Sequence, residues 1–164
     1  MATRCGPGIG GSMTLAFGLD RAMKTILYLT CSPRGEAAHS RAVGELLILG
    51  LTRRNPGVTV IRRDLVETPP PLIDAAFSAA ILGTADDPVP ALAASEVLIQ
   101  ELEACDALVI ATPMHNFGVP AVLKAWVDQI VRINRTFRST PAGKMGVLAD
   151  RPVYVAVASG GWFT

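Results

Sequence analysis

The chain has 164 residues, of which 50% are hydrophobic and 18% are charged, and its formal net charge at pH 7 is +1. This length favours one domain with a sizeable core, and the apolar content excludes disorder over most of the chain. The near-neutral charge argues against a nucleic-acid-binding protein. No apolar run approaches the roughly 20 residues that a membrane-spanning helix needs, so no membrane partner is expected.

The cysteines Cys5, Cys31 and Cys105 are too few and too scattered for a disulfide framework. A reducing, cytoplasmic location is therefore the default expectation. With only two histidines in the chain and no C-x-x-C motif, the sequence predicts no metal site.

Residues 1–22 are rich in glycine and have neither a helical nor a strand period. They match G-x-G-x-x-G formally, but no strand precedes the match. The short apolar stretch at 13–19 is interrupted by polar and glycine residues and lacks a convincing cleavage site. We therefore expect a disordered extension rather than a targeting peptide, and a folded domain over residues 23–164.

From residue 24 onward, apolar strand patterns alternate with helical ones. Strands are predicted at 24–31, 58–61, 106–111 and 152–158, and helices at 40–54, 75–82, 90–104 and 120–134. Ser40 is a favourable N-cap for the first helix, and residues 135–150 indicate a loop or a short hairpin. Because the strands are continuously apolar, the pattern predicts an α/β fold with an open parallel sheet and helices on both faces.

The predicted helix at 120–134 has two distinct faces. Lys124, Asp128 and Arg132 follow i, i+4 spacing with alternating charge, which is typical of a solvated face. The opposite face carries an apolar stripe that we expect to be buried. It consists of Leu123, Trp126, Val127 and Ile130.

Ligands of open parallel sheets bind at the carboxyl ends of the strands. The loop after the first strand holds Ser32, His39 and Ser40 at a helix N-terminus, where hydroxyl and backbone N–H groups favour a phosphate. An ordinary capped turn would use the same serines for local hydrogen bonds only. From the residues alone, both interpretations stay open.

The loops after the third and fourth strands hold further candidates. They are Met114, His115, Asn116 and Phe117 in the first of these loops, and Ser159, Gly160 and Gly161 in the second. Considered singly, His115 is better explained as an exposed loop residue than as a catalytic base, and Met114 and Phe117 as packing residues. Together, the three loops predict a nucleotide-like ligand at one edge of the sheet.

The run PMHNFGVPAVLKAWVD at 113–128 resembles the signature of the FMN-dependent NADH-azoreductase family, P-M-Y-N-F followed by P-x-x-L-K and an aromatic residue. Its members are flavodoxin-like NAD(P)H:quinone oxidoreductases, formerly labelled acyl-carrier-protein phosphodiesterases. Order and spacing agree with the family over residues 24–164. The chain departs from the family pattern at Ala38, where a serine is frequent, and at His115, where a tyrosine is common.

The resemblance implies roles for the residues of the three loops. Ser32, His39 and Ser40 would hold the FMN phosphate, and Met114, His115, Asn116 and Phe117 would line one side of the isoalloxazine ring. Ser159, Gly160 and Gly161 would contact the polar edge of that ring. The implied activity is the two-electron transfer from NAD(P)H to a quinone or azo compound by a ping-pong mechanism, with FMN as cofactor and NADH as an electron donor. Since the cofactor carries the redox chemistry, no catalytic acid–base residue is expected.

The resemblance also implies a homodimer and a chain that continues with a helix, a strand and a last helix. The domain at 23–164 is therefore expected to be incomplete at its carboxyl end, with an unpaired apolar strand at the sheet edge. A non-catalytic flavodoxin-like electron carrier and an inactive truncated fragment remain alternatives. A phosphodiesterase is disfavoured because no metal ligands or base–nucleophile pair are visible. A receiver-like module is excluded because strands one and three do not end in acidic residues.

Overall fold

A computed structural model of the chain describes residues 23–160. The elements, in chain order, are β1 (Thr25–Thr30), α1 (His39–Arg54), β2 (Thr59–Asp64), α2 (Ala75–Leu82), α3 (Val89–Ala104), β3 (Ala107–Pro113), α4 (Ala121–Ile130), β4 (Phe137–Thr140), β5 (Gly143–Gly146) and β6 (Val153–Ala158). A short 3-10 turn, Gly35–Ala37, precedes α1. The expected extension at 1–22 and the candidate Gly161 lie outside the described residues.

Four of the strands form a parallel sheet with the order β2-β1-β3-β6. The helix α1 packs on one face of this sheet, whereas α3 and α4 pack on the other. The predicted flavodoxin-like α/β fold, with helices on both faces, is therefore confirmed. The remaining two strands, β4 and β5, form a separate antiparallel hairpin in the segment predicted as a loop or hairpin.

The core consists of two clusters divided by the sheet. On the α3 and α4 face, Leu27 and Leu29 pack with Trp126 and with leucines from both helices. On the α1 face, Ile26 and Tyr28 pack with Ile48 of α1 and with the short side chains of β3. The alternation along β1 explains the division, because successive strand side chains point to opposite faces.

The helix α1 approaches the sheet unusually closely at Gly44. A Cβ placed there would lie 2.5 Å from the hydroxyl oxygen of Tyr28 and 2.8 Å from the Cβ of Ala111. Both neighbours are buried in the sheet. The absence of a side chain at Gly44 thus sets the distance at which α1, and the loop that leads into it, lies over β1 and β3.

Two predicted element boundaries are wrong. The N-cap of α1 is Ala38, so Ser40 lies inside the first helical turn instead of capping it. The helix α4 ends at Ile130 rather than near residue 134. Beyond Ile130, hydrogen bonds of the Thr136 side chain take the place of the helical ones. Its hydroxyl donates to the carbonyl of Ile130 at 2.7 Å and accepts from the amide of Arg132 at 2.9 Å.

The early end of α4 also corrects the expected solvent face. The Lys124–Asp128 pair forms as predicted. Arg132, however, lies beyond the helix with its guanidinium mostly buried, and donates to Glu96 of α3 at 3.0 Å. The expected buried stripe is confirmed at Leu123 and Trp126, whereas Val127 is exposed.

The strand β6 lies at the edge of the parallel sheet, and within residues 23–160 no strand pairs with its outer side. Three valines of β6, Val153, Val155 and Val157, are each about half exposed on the face that α3 and α4 cover farther along the sheet. The apolar edge expected from the resemblance is therefore present in the described part of the chain.

Candidate functional site

A cavity of about 230 Å³ opens at the carboxyl ends of β1, β3 and β6. Seven of the predicted site residues line it: Ser32, His39, Ser40, Met114, His115, Ser159 and Gly160. The parallel sheet brings them together because all three loops leave the same edge. The structure thus places the three predicted loops around one space.

One corner of the cavity is the N-terminus of α1. The N-cap residue Ala38 offers no side-chain acceptor to the first helical turn, and that turn contains no acidic residue. The side chain of Ser40 is 1% exposed, and its Oγ has no hydrogen-bond partner among the described residues. An unpartnered buried hydroxyl costs about 1–3 kcal/mol. This corner therefore fits a phosphate, which would accept from Ser40 and from the helix N-terminus.

The two other predicted residues of this corner differ in their surroundings. Ser32 is buried, and its Oγ accepts a hydrogen bond from the amide of Arg34 at 3.3 Å. This serine therefore makes the local turn of the ordinary interpretation, and its hydroxyl hydrogen can still be donated to a ligand. His39 is the first residue of α1, and its side chain is exposed.

The opposite wall of the cavity is built where β3 and β6 end. The amide of Met114 donates to the carbonyl of Ala158 at 2.8 Å, which joins the two loops. Beyond it, His115 and Gly118 exchange two backbone hydrogen bonds of 3.0 and 2.9 Å. The two residues between them, Asn116 and Phe117, have φ values of 49° and 62°. This is the geometry of a type I′ turn.

The turn places Asn116 and Phe117 at a tip beside the cavity rather than in its wall. Phe117 is 91% exposed, and a left-handed conformation costs a bulky residue about 1–2 kcal/mol. Strain of this kind is concentrated at ligand-binding sites. The interpretation of Phe117 as a packing residue is therefore wrong, and its ring is available to a flat ligand.

Sequence reasoning gave no role to four residues that line the cavity, Arg34, Ala38, Pro113 and Ala158. Of these, Arg34 is the one with a functional side chain. The signal that could have found it is a basic residue between Ser32 and the helix that follows, in a loop already predicted to bind an anion.

The loop that carries Arg34 is held by ion pairs outside the cavity. The guanidinium of Arg41 contacts Glu36 of the 3-10 turn at 2.9 Å and Asp64 at the end of β2 at 3.1 Å. Burial acts to raise the pKa of Asp64, but hydrogen bonds from the amide of Val66 and from Thr30, together with Arg41, lower it overall. The charged form of Asp64 therefore stabilises the position of α1 against β2.

The thiol of Cys31 lies at the end of β1, directly before Ser32. Burial raises its pKa to about 12. Since the thiolate is the reactive form of cysteine, we expect Cys31 to resist iodoacetamide at pH 8 in the folded protein. Mass spectrometry of the peptide that contains Cys31, with and without urea, measures this protection. Equal labelling in both conditions would show that the thiol is accessible and contradict its buried position.

Within residues 23–160, no group of three histidine, cysteine, aspartate or glutamate side chains could hold a metal ion. In the same part of the chain, none of the helices is long and apolar enough to cross a membrane.

Residues 24–164 match the sequence profile of a family described as flavodoxin-like fold. An FMN-dependent NADH:quinone oxidoreductase of Cupriavidus pinatubonensis is 56% identical over 145 residues, which cover 86% of this chain and 70% of that protein. A second such enzyme, from Pseudomonas fluorescens, is 44% identical over 85% of this chain and 68% of its own length.

Solved structures share the fold at lower identity. The azoreductase AzrA has a TM-score of 0.76 and 24% identity over 84% of this chain and 70% of its own. An FMN-dependent NADH-azoreductase of Bacillus anthracis, in complex with FMN, has a TM-score of 0.74 and 24% identity over 86% and 71% of the two chains. Sequence and fold agree: the chain belongs to the flavodoxin-like family of the FMN-dependent NADH:quinone oxidoreductases.

Proposed function

We propose that this protein is an FMN-dependent oxidoreductase that passes two electrons from NADH to quinones or azo compounds. The observation that carries the proposal is the cavity at the carboxyl edge of the sheet, with the unpartnered Ser40 hydroxyl at a helix N-terminus. The relatives named for this activity support it, since they match this chain at 56% and 44% identity.

In this proposal Ser32, His39 and Ser40 hold the phosphate of FMN. Met114 and His115 form the wall beside the isoalloxazine ring, and the turn at Asn116 and Phe117 covers its flat face. The loop at 159–161 meets the polar edge of the ring. When bound, FMN would supply the redox chemistry, taking a hydride from NADH and reducing the acceptor in a ping-pong order.

The chain's own contribution is binding and orientation. Backbone amides at the start of α1 and the Ser40 hydroxyl fix the anionic end of the cofactor. Two backbone hydrogen bonds between His115 and Gly118 close the turn, and so set the position of the Phe117 backbone beside the site. No side chain is proposed as an acid or base, because the hydride moves without one and the proton that completes the reduced acceptor can come from water.

Two finer features belong to the proposal. We propose a homodimer, because Phe117 at the mouth of the site is 91% exposed and a second copy would shield it from water. We propose a cytoplasmic location, because Cys31 and Cys105 are both free, buried thiols.

The visible spectrum of the purified protein tests the proposal first. We expect a yellow protein that releases FMN on denaturation and oxidises NADH with menadione or a carboxylated azo dye. Parallel lines in double-reciprocal plots would support the ping-pong order, and a mass of twice the chain would support the homodimer. A well-folded protein that takes up no added FMN would overturn the proposal. FMN uptake with slow NADH oxidation would favour a one-electron carrier instead.

A further inference from the structure

The hairpin of β4 and β5 lies outside the packed core. None of the residues 137–146, all of which the structure describes, is buried, and every residue of β5 is exposed. The two strands pair with each other, and no third strand joins them within residues 23–160. A hairpin of two strands is at best marginally stable on its own in water. Its order therefore depends on the contacts at its base.

The base of the hairpin is held to α3 by four charged residues, Arg132, Arg135, Glu96 and Glu103, which we call the Arg135 cluster. The Nη2 atom of Arg135 lies 2.7 Å from a carboxylate oxygen of Glu96 and 2.7 Å from one of Glu103. These glutamates lie two turns apart on one face of α3. Arg132 adds a hydrogen bond of 3.0 Å to Glu96. The guanidinium of Arg135 lowers the pKa of both glutamates by hydrogen bonding, so the cluster is fully charged at neutral pH.

The position of Arg135 in the chain connects the cluster to both strands. Its neighbour Thr136 precedes β4, and the carbonyl of Thr136 accepts from the amide of Val147, just after β5, at 3.0 Å. Fixing the side chain of Arg135 on α3 therefore fixes the end at which the two strands enter and leave the hairpin.

Charge, rather than apolar burial, has to hold the hairpin in place. No side chain of residues 137–146 joins either core cluster. Isolated ion pairs at a surface stabilise little, because water and salt screen them and long side chains lose freedom. The Arg135 cluster is stronger than such a pair, since its charges form a network and the Arg135 side chain is only 25% exposed.

We propose that the β4–β5 hairpin is a separately opening arm and that the Arg135 cluster is a salt-sensitive latch that holds it on α3. When the latch is weakened, the hairpin opens while the parallel sheet stays folded. Segments with few buried apolar contacts open at a lower free energy than the core. The inference goes beyond the proposed function and does not depend on FMN, so either can fail without the other.

Hydrogen exchange followed by mass spectrometry tests the latch in the FMN-free protein. The rates of residues 137–147 are compared with those of β1 at about 0.05 and 1 M sodium chloride, which change the screening length about fourfold. We expect high salt to speed exchange of the hairpin about threefold, relative to an unstructured reference peptide, and to leave β1 unchanged.

Arg135→Gln is expected to speed exchange of the hairpin about tenfold at low salt, since charge-assisted bidentate hydrogen bonds are among the strongest. Its hairpin should no longer respond to salt. Arg135→Lys retains the charge but loses the planar fork, and an intermediate rate is expected. Arg138→Gln is the matched control. Arg138 lies in β4, is exposed, and pairs with no carboxylate in the part of the chain that the structure describes.

Two results would overturn the proposal. One is an equal hairpin rate in Arg135→Gln and Arg138→Gln, which would show that the cluster does not hold the arm. The other is exchange of β1 that accelerates in step with the hairpin, which would show that the two open as one unit. If Arg135→Gln fails to fold, the unmodified protein decides. A selective response of its hairpin to salt supports the latch, and no response overturns it.

Discussion

Gly44→Ala is expected to lower the free energy of unfolding by about 1–3 kcal/mol, the usual cost of overpacking a core. Inside a helix this substitution normally stabilises, by about 1 kcal/mol. Here the sign is reversed, because the new methyl would lie 2.5 Å from the Tyr28 hydroxyl oxygen and 2.8 Å from the Ala111 Cβ. Neither neighbour can retreat, since both lie at the centre of the sheet and are buried.

The same helix offers a matched control for this prediction. Gly50 lies in α1 as well, and a Cβ placed there meets no atom within 4 Å. Gly50→Ala should therefore stabilise the protein by about 0.5–1 kcal/mol through helix propensity alone. Urea denaturation of both variants measures the difference. Equal effects at the two positions would show that α1 does not approach the sheet as closely as described.

Much of the fold follows from the sequence because its strands are continuously apolar. The runs around Leu27 and Val109 allow no solvated face, so helices must cover both sides of the sheet. Strong breakers then fix several boundaries, such as the one after Arg54, where Asn55 donates from its side chain back to the Leu51 carbonyl. Local signals of this kind act within a few residues and can be recognised in a single sequence.

Boundaries that depend on distant partners could not be predicted. The strand β2 continues to Asp64 although Arg62 and Arg63 interrupt the apolar pattern, because it pairs with β1 along its whole length. Each of these arginines is matched by a glutamate from a different helix, Glu45 and Glu101 respectively. Nothing in the local sequence of β2 specifies those partners.

The candidate site also combines features that the sequence predicts with one that it does not. Loop position alone brought Ser32, Ser40 and Met114 to one edge of the sheet, as expected from the rule for parallel strands. The placement of Phe117 at the tip of a turn, however, depends on left-handed backbone angles that asparagine accepts and phenylalanine does not favour. Because phenylalanine disfavours the second central position of a type I′ turn, the local sequence does not predict the turn at Asn116 and Phe117.

Ser40→Ala is expected to separate the stability of the protein from its affinity for the cofactor. Its hydroxyl is buried without a partner among the described residues, so removing it should leave the free energy of unfolding of the FMN-free protein unchanged or raise it by up to about 1 kcal/mol. The same change removes a proposed phosphate ligand, and FMN binding should weaken about tenfold or more, which corresponds to at least 1.4 kcal/mol.

Ser95→Ala is the matched control, because Ser95 is equally buried but fully partnered. Its Oγ donates to the Gln129 carbonyl at 2.6 Å and accepts from Arg132 at 3.0 Å, on the opposite side of the sheet from α1. We expect this variant to lose about 1–3 kcal/mol of stability, since it takes a donor from the Gln129 carbonyl and one of its acceptors from the Arg132 guanidinium, and to bind FMN as before. Urea denaturation and FMN titration of both variants test this. Ser40→Ala should lose FMN affinity and keep its stability, whereas Ser95→Ala should lose stability and keep its FMN affinity. If Ser40→Ala instead loses stability and keeps its FMN affinity, the hydroxyl has a structural role, and the phosphate does not bind at the N-terminus of α1.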